Sequence, residues 1–207
     1  MKRSVFFTSD WHLHHTQVIK FSNRPFKDIH HMHRVLINNY NSTVPPHGLC
    51  YFLGDVGFPD KEIISQLNGK KIVLMGNHDK GTYSLQQIFD GVLYTGSLVI
   101  AKEIVTMSHC PLARIKREDT SHFKNGNPDE YWHGELRPKF APFIVPNFGQ
   151  FHLHGHTHAP NGGKSEVKFG RQWDIGVDGN NYTPVSISPV ESWITKKLEY
   201  EKRNFKK

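Results

Sequence analysis

Five short blocks rich in Asp, His and Asn each end or follow an apolar, strand-like run: SDWH around Asp10 and His12, LGD ending at Asp55, GNHD at 76–79, SHCP around His109, and GHTH with His156 and His158. Residues so far apart in sequence can meet if their strands end at one edge of a sheet. Each block alone has an ordinary reading, such as a capping Asp, a turn or a hydrogen-bonded histidine. Five such coincidences on five strand ends are improbable, and together they read as a metal site.

The chain that carries these blocks has 207 residues, enough to bury a full core without disulfides and a fair length for one domain spanning 1–207. Cys50 and Cys110 lie in or beside apolar runs without CxxC spacing, which suits buried thiols in a reducing, cytoplasmic compartment. The start MKRSVFFTSD is too short in apolar residues for a signal-peptide core, and no stretch approaches the roughly 20 apolar residues of a spanning helix. No membrane association is expected. A formal charge of +7 favours anionic partners such as phosphates or nucleic acid, but much of it sits in the tail KKLEYEKRNFKK, which reads as a solvated helix face.

SVFFTSD reads as a first strand, and Ile29, Met32, Leu36 and Tyr40 fall at helical spacing over Asp28–Asn41. GLCYFLGD is a second strand, KEIISQLNG a short helix stopped at Gly69, and KKIVLMG a third strand. This alternation predicts βαβ units with a largely buried parallel sheet. After a further helix, YSLQQIF, come closely spaced strands GVLYTG, SLVIAKE and EIVTMSH, for which antiparallel pairing is expected and hence a mixed sheet system. Residues 111–147 are polar, rich in Pro and Gly, and long enough to suggest a functional loop or lid. FGQFHLHG, VKFG, QWDIGVD and PVSIS return to strand, and Ser188, Pro189 and Glu191 mark the start of a last helix as a capping box.

In an extended backbone Asp10 and His12 would share a face. A carboxylate with an imidazole suits Mn, Fe or Zn better than Ca or Mg. Asp55 adds a carboxylate able to bridge two cations, and GNHD offers an amide oxygen, an imidazole and another carboxylate after a buried strand. His156 and His158 flank one residue, so two imidazoles could serve two neighbouring metals. His109 supplies one more.

The order DxH, GD, GNHD, H, GHxH resembles the calcineurin-like metallophosphoesterase superfamily, with every metal-ligand position of that pattern filled over residues 10 to 158. The compact size and the SNRPF segment resemble its small bacterial and phage phosphoesterases. The resemblance implies an α/β fold of two mixed β-sheets packed as a sandwich with helices on the outer faces. It implies two divalent metal ions, Mn first, with Fe, Ni or Zn as alternatives. Asp10, His12, Asp55 and His158 would hold one, and Asp55, Asn77, His109 and His156 the other. The implied activity is hydrolysis of a phosphodiester (a nucleotide, cyclic nucleotide or short oligonucleotide) by metal-activated hydroxide, with His78 as the catalytic histidine on the leaving group.

One departure stands out. Many members read GDxxD, whose last Asp orients the catalytic histidine, whereas this chain reads GDVGF with Phe58 in that place. Another carboxylate, Asp60 or Asp79, must then take over, or His78 works without support; Asp79 joins His78 as a candidate catalytic residue. His14 and His15 precede Thr16 and are read as phosphate contacts or helix caps. Arg24 pairs with a phosphate oxygen or makes a structural salt bridge, and Arg114, with Lys116 and Arg117, forms a basic lip. Tyr131 and Trp132 offer base stacking or local packing. The competing readings are a phosphomonoesterase, a non-catalytic binding module on the same fold, and a nucleic-acid-binding protein driven by surface charge.

Overall fold

The structure is a computed structural model and describes residues 4–58, 60–79, 81–112, 142–159 and 170–204. Its strands form two mixed sheets. The first, in the order β4-β3-β2-β1-β9, holds β1 (Val5–Thr8), β2 (Leu49–Phe52), β3 (Lys70–Leu74), β4 (Gly91–Leu93) and β9 (Val185–Ser186). The second, in the order β5-β6-β7-β8, holds β5 (Thr95–Ile100), β6 (Glu103–Ser108), β7 (Phe151–His154) and β8 (Gln172–Asp174). In the first sheet β1 to β4 run parallel and only β9 opposes them. In the second, β5 pairs antiparallel with β6, while β6, β7 and β8 are parallel.

Alternation along the central strands sorts side chains into two apolar clusters. Phe6, Cys50, Phe52 and Val73 face one way and pack with Met32, Leu36 and Tyr40 of α2 (Ile29–Thr43) and with Ile63 and Ile64 of α3 (Lys61–Ser65). Phe7, Leu53 and Leu74 face the other way and join Val105, Met107, Phe151, Leu153 and Trp173 of the second sheet. Burying both faces explains why these strands read as continuous apolar runs. Each large side chain removed from water contributes about 1.5–3 kcal/mol.

Helix α2 starts where Asp28 accepts a bond from the backbone of His31 at 2.6 Å, and it stops before Pro45 and Pro46. α4 (Thr82–Gln86) makes β3-α4-β4 a crossover unit, so Gly91–Leu93 of GVLYTG pairs parallel with β3, while its Thr95 and Gly96 open β5 and pair antiparallel with β6 as expected. α5 (Ile187–Asn204) leaves β9 directly, which puts Ser188 inside its first turn and removes the expected capping box. Its Val190, Trp193 and Ile194 belong to the cluster that joins the sheets, so this helix does not lie on an outer face as expected. In the described part of the basic tail, Arg203 pairs with Glu199 in solvent, as a solvated helix face would, whereas Lys197 is buried and pairs with Glu201. Among the described residues no helix is long and apolar enough to cross a membrane. The expected strand VKFG and nearly all of the 111–147 loop fall outside the described residues.

Parallel strands share a carboxyl edge. Those of β1, β2 and β3 meet those of β6, β7 and β8, as the isolated parallel bridge from Ser9 to Gly176 shows. Open α/β sheets bind their ligands at this edge.

Candidate metal centre

Every predicted ligand lies just past the end of a strand: Asp10 and His12 after β1, Asp55 after β2, Asn77 after β3, His109 after β6, His156 and His158 after β7. The backbone there is not extended. Asp10 (φ 58), His12 (φ 50), Asp55 (φ 50), His156 (φ 72) and His158 (φ 50) all adopt the left-handed conformation. A shared strand face is therefore not what brings Asp10 and His12 together. Non-glycine residues in that region each cost on the order of 1–3 kcal/mol, and such residues gather at functional sites.

Surrounding hydrogen bonds hold these turns. Asp10 N–H donates to Gly54 O at 3.0 Å, His12 N–H to Asp55 O at 3.0 Å and Leu13 N–H to Val56 O at 2.8 Å. The Asp10 carboxylate accepts from His156 N–H at 3.0 and 3.1 Å, tying the two sheets together. Two glycines make this approach feasible: a side chain at Gly155 would strike Ser9 Oγ and Asp10 Oδ2, and one at Gly76 would strike the Asp55 carboxylate and backbone.

The donors fall into two groups whose ligand atoms lie within 4.8 Å of one another: Asp10, His12 and His158, and Asp55, His109 and His156. Asp55 Oδ2 stands 3.6 Å from His12 Nε2 and 3.4 Å from His109 Nε2, so one carboxylate oxygen touches both groups. Asn77 Oδ1, at 3.0 Å from His109 Nε2, extends the second. Ring nitrogens face each other within each group, His12 Nε2 and His158 Nε2 at 3.2 Å, His156 Nδ1 and His109 Nε2 at 3.2 Å. Such lone pairs repel unless a proton or cation lies between them. Imidazole, carboxylate and amide donors so arranged fit divalent transition metals.

The electrostatics divide the donors into rings already neutral and groups that hold a proton until a cation displaces it. Burial pushes His12 down to about 3 and His156 to about 4, leaving both rings neutral and able to ligate. Burial pushes Asp10 up to about 7. Burial would also raise Asp55, but the neighbouring His109 cation and its hydrogen bond hold that carboxyl well below the usual range. Burial opposes the proton on His109, yet the Asp55 charge outweighs it and raises the ring to about 9.

The catalytic candidates divide. The exposed His78 has its ring 5.9 Å from that of His12, and its N–H donates to Asp55 Oδ1 at 3.0 Å. Asp79 does not orient it. Its buried carboxylate accepts from the backbone of Asp55, Val56 and Gly76 at 2.8–2.9 Å, because these turn amides have no strand partner. Asp60 is likewise engaged elsewhere, capping α3 and meeting His14 Nε2 at 2.7 Å. Phe58 is 60% exposed. Among the described residues the His78 ring has no hydrogen-bond partner.

Of the proposed substrate contacts, His15 is half-buried, its ring 5.6 Å from that of His12 and 5.7 Å from that of Phe21. Thr16 makes no side-chain cap on α1 (Gln17–Phe21). Arg24 is no phosphate contact: it is buried and forks onto Asp178. Arg114, Lys116, Arg117, Tyr131 and Trp132 lie outside the described residues. Sequence reading missed Asp178, Ser22 and Phe21. For Asp178 the signal was present, since QWDIGVD is a sixth acidic block after a strand.

No protein-family model matches the chain. Over 204 residues it is 27% identical to an uncharacterized protein of Methanocaldococcus jannaschii, MJ1445, covering 94% of this chain and 93% of that protein. A crystal structure of a protein of unknown function from Aquifex aeolicus, AQ665, is similar in fold, with a TM-score of 0.64 at 24% identity, covering 92% of this chain and 99% of that one. At that identity the likeness concerns the fold.

Proposed function

We propose that this chain is a two-metal phosphoesterase of the calcineurin-like type, acting on a phosphodiester. The observation that carries the reading is the Asp55 carboxylate oxygen, which belongs to the His109–His156 group and stands 3.6 Å from His12 Nε2 of the other group. Asp10, His12, Asp55 and His158 would hold one divalent ion, and Asp55, Asn77, His109 and His156 the other. Two cations held there supply positive charge to phosphoryl oxygens and lower the pKa of a water.

The chain's own residues supply the rest. His78, exposed and tied to Asp55 through its backbone, would donate a proton to the leaving oxygen. Among the described residues no carboxylate stands behind its ring, and it would favour leaving groups that need little protonation. Asp79 keeps the Asp55 turn in register. The diester preference is supported by Phe21, 59% exposed, whose ring lies 5.7–6.4 Å from those of His15, His158 and His12. A second ester arm carrying a nucleobase could stack there.

The test is to strip metals from the protein, restore Mn, Ni, Zn or Mg separately, and compare an aryl phosphodiester with an aryl phosphomonoester. Metal-dependent turnover, faster on the diester and abolished in Asp55→Ala, is expected. Absence of metal-dependent turnover on either ester, or full turnover in Asp55→Ala, overturns the reading.

A further inference from the structure

Behind the Asp10–His12–His158 group lies a buried fork. Arg24 Nε donates to Asp178 Oδ1 at 2.7 Å and Nη2 to Oδ2 at 2.8 Å, with both side chains almost wholly out of water. The same guanidinium donates to Asp10 O at 2.7 Å and to Trp11 O at 3.2 Å, the two consecutive carbonyls that lead into His12. Asp178 Oδ2 in turn accepts from His158 Nδ1 at 2.7 Å, with Ser22 Oγ 3.1 Å from the same nitrogen. With the proton on Nδ1, the lone pair of His158 Nε2 points into the group, 3.2 Å from His12 Nε2 and 3.8 Å from Asp10 Oδ1.

A buried ion pair is weak evidence of a role in stability, because desolvation offsets most of the attraction, and apolar residues of equal volume often serve as well. Apolar residues cannot select a histidine tautomer. A carboxylate on the far nitrogen of a metal-binding histidine does so, and raises the basicity of the ligating one.

We infer that Arg24 and Asp178 are positioning residues for the Asp10–His12–His158 group: the Arg24 fork fixes Asp178 and the Asp10–Trp11 turn, and Asp178 fixes the His158 tautomer that leaves Nε2 free for a divalent cation. The inference rests on the metal reading of this group and stands apart from the phosphoesterase reading.

The decisive variant is Asp178→Asn. The fork then takes the single amide oxygen, which leaves the amide N–H facing His158 Nδ1 and reverses the tautomer. Titrating Mn(II) into the metal-free full chain, by calorimetry and electron paramagnetic resonance, should show two sites in the wild type. One site should weaken about 10- to 100-fold in the variant, with loss of the spin-coupled Mn pair, while the other changes less than about twofold. Asp178→Glu should restore part of the loss, and Arg24→Lys, which keeps the charge but not the fork, should weaken the same site. Two unchanged sites in a folded Asp178→Asn protein overturn the inference. If the variants do not fold, nitrogen-15 spectra of wild-type His158 decide it. A proton on Nδ1 in the Zn(II)-loaded protein supports the inference, and a proton on Nε2 overturns it. Wild-type protein that binds two Mn(II) without hydrolysing phosphate esters leaves this inference standing and removes the phosphoesterase reading; protein that binds none removes both.

Discussion

At the scale of single residues, the ligand positions combine unfavourable backbone with tight space. Gly155 approaches the Ser9 hydroxyl and the Asp10 carboxylate so closely that even a methyl group has no room. Gly155→Ala is expected to lower stability by about 1–3 kcal/mol and to weaken metal binding, measured by denaturant unfolding and by Mn(II) titration of the same samples. His78 differs, being exposed and outside both donor groups. His78→Ala should retain both metals yet lose more than about tenfold in rate, roughly 1.4 kcal/mol of barrier; a smaller loss with metals bound would exclude its catalytic role.

At the scale of elements, the turns after β2 and β3 depend on one side chain. Asp79 accepts three backbone N–H groups of two different turns, and burial raises its pKa despite these bonds. Asp79→Ala would orphan all three donors, at about 1–3 kcal/mol for each buried group left unsatisfied, so a loss of at least ~3 kcal/mol is expected in urea unfolding. Sequence pattern reached the elements well. Apolar runs located the strands, and spacing at Met32, Leu36 and Tyr40 located α2. It also brought all seven ligand candidates to one edge, because the carboxyl ends of parallel strands coincide. It did not reach the role of Asp79, and for Arg24 it offered a structural salt bridge without its partner or the carbonyls it holds. Both roles depend on which amides and carbonyls the left-handed turns leave without partners, and nothing in the order of residue types encodes that. The pairing of β4 was misread for a related reason, since a short helix between two short runs decides between parallel and antiparallel.

At the scale of the whole molecule, the donors come from both sheets, so a bound cation would join them. Ligand binding to the native state alone adds RT ln(1 + [L]/Kd) to stability, about 2.7 kcal/mol at a hundredfold excess over Kd. Chelation should therefore lower the melting temperature and re-addition of Mn(II) restore it. The metal-free protein has its own pH dependence. His109 is raised from 6.5 to about 9, so its contribution is present below about 6.5 and lost as pH rises through about 9. Asp10, raised from 3.8 to about 7, acts in the same direction, its contribution being lost as pH rises through about 7. Melting of the metal-free chain should thus fall as pH rises from about 6.5 to about 9 through His109, the Asp10 part being complete near pH 7. Calorimetry in buffers of different ionisation enthalpy should show protons released on Mn(II) binding, because ligation displaces them. The five left-handed residues also bear on time. A chain already folded into these turns has little to rearrange when an ion arrives, so loading should keep pace with how fast each ion sheds its own water. Mn(II) should then enter much faster than Ni(II), and rapid-mixing kinetics would separate a site built in advance from one assembled around its metal.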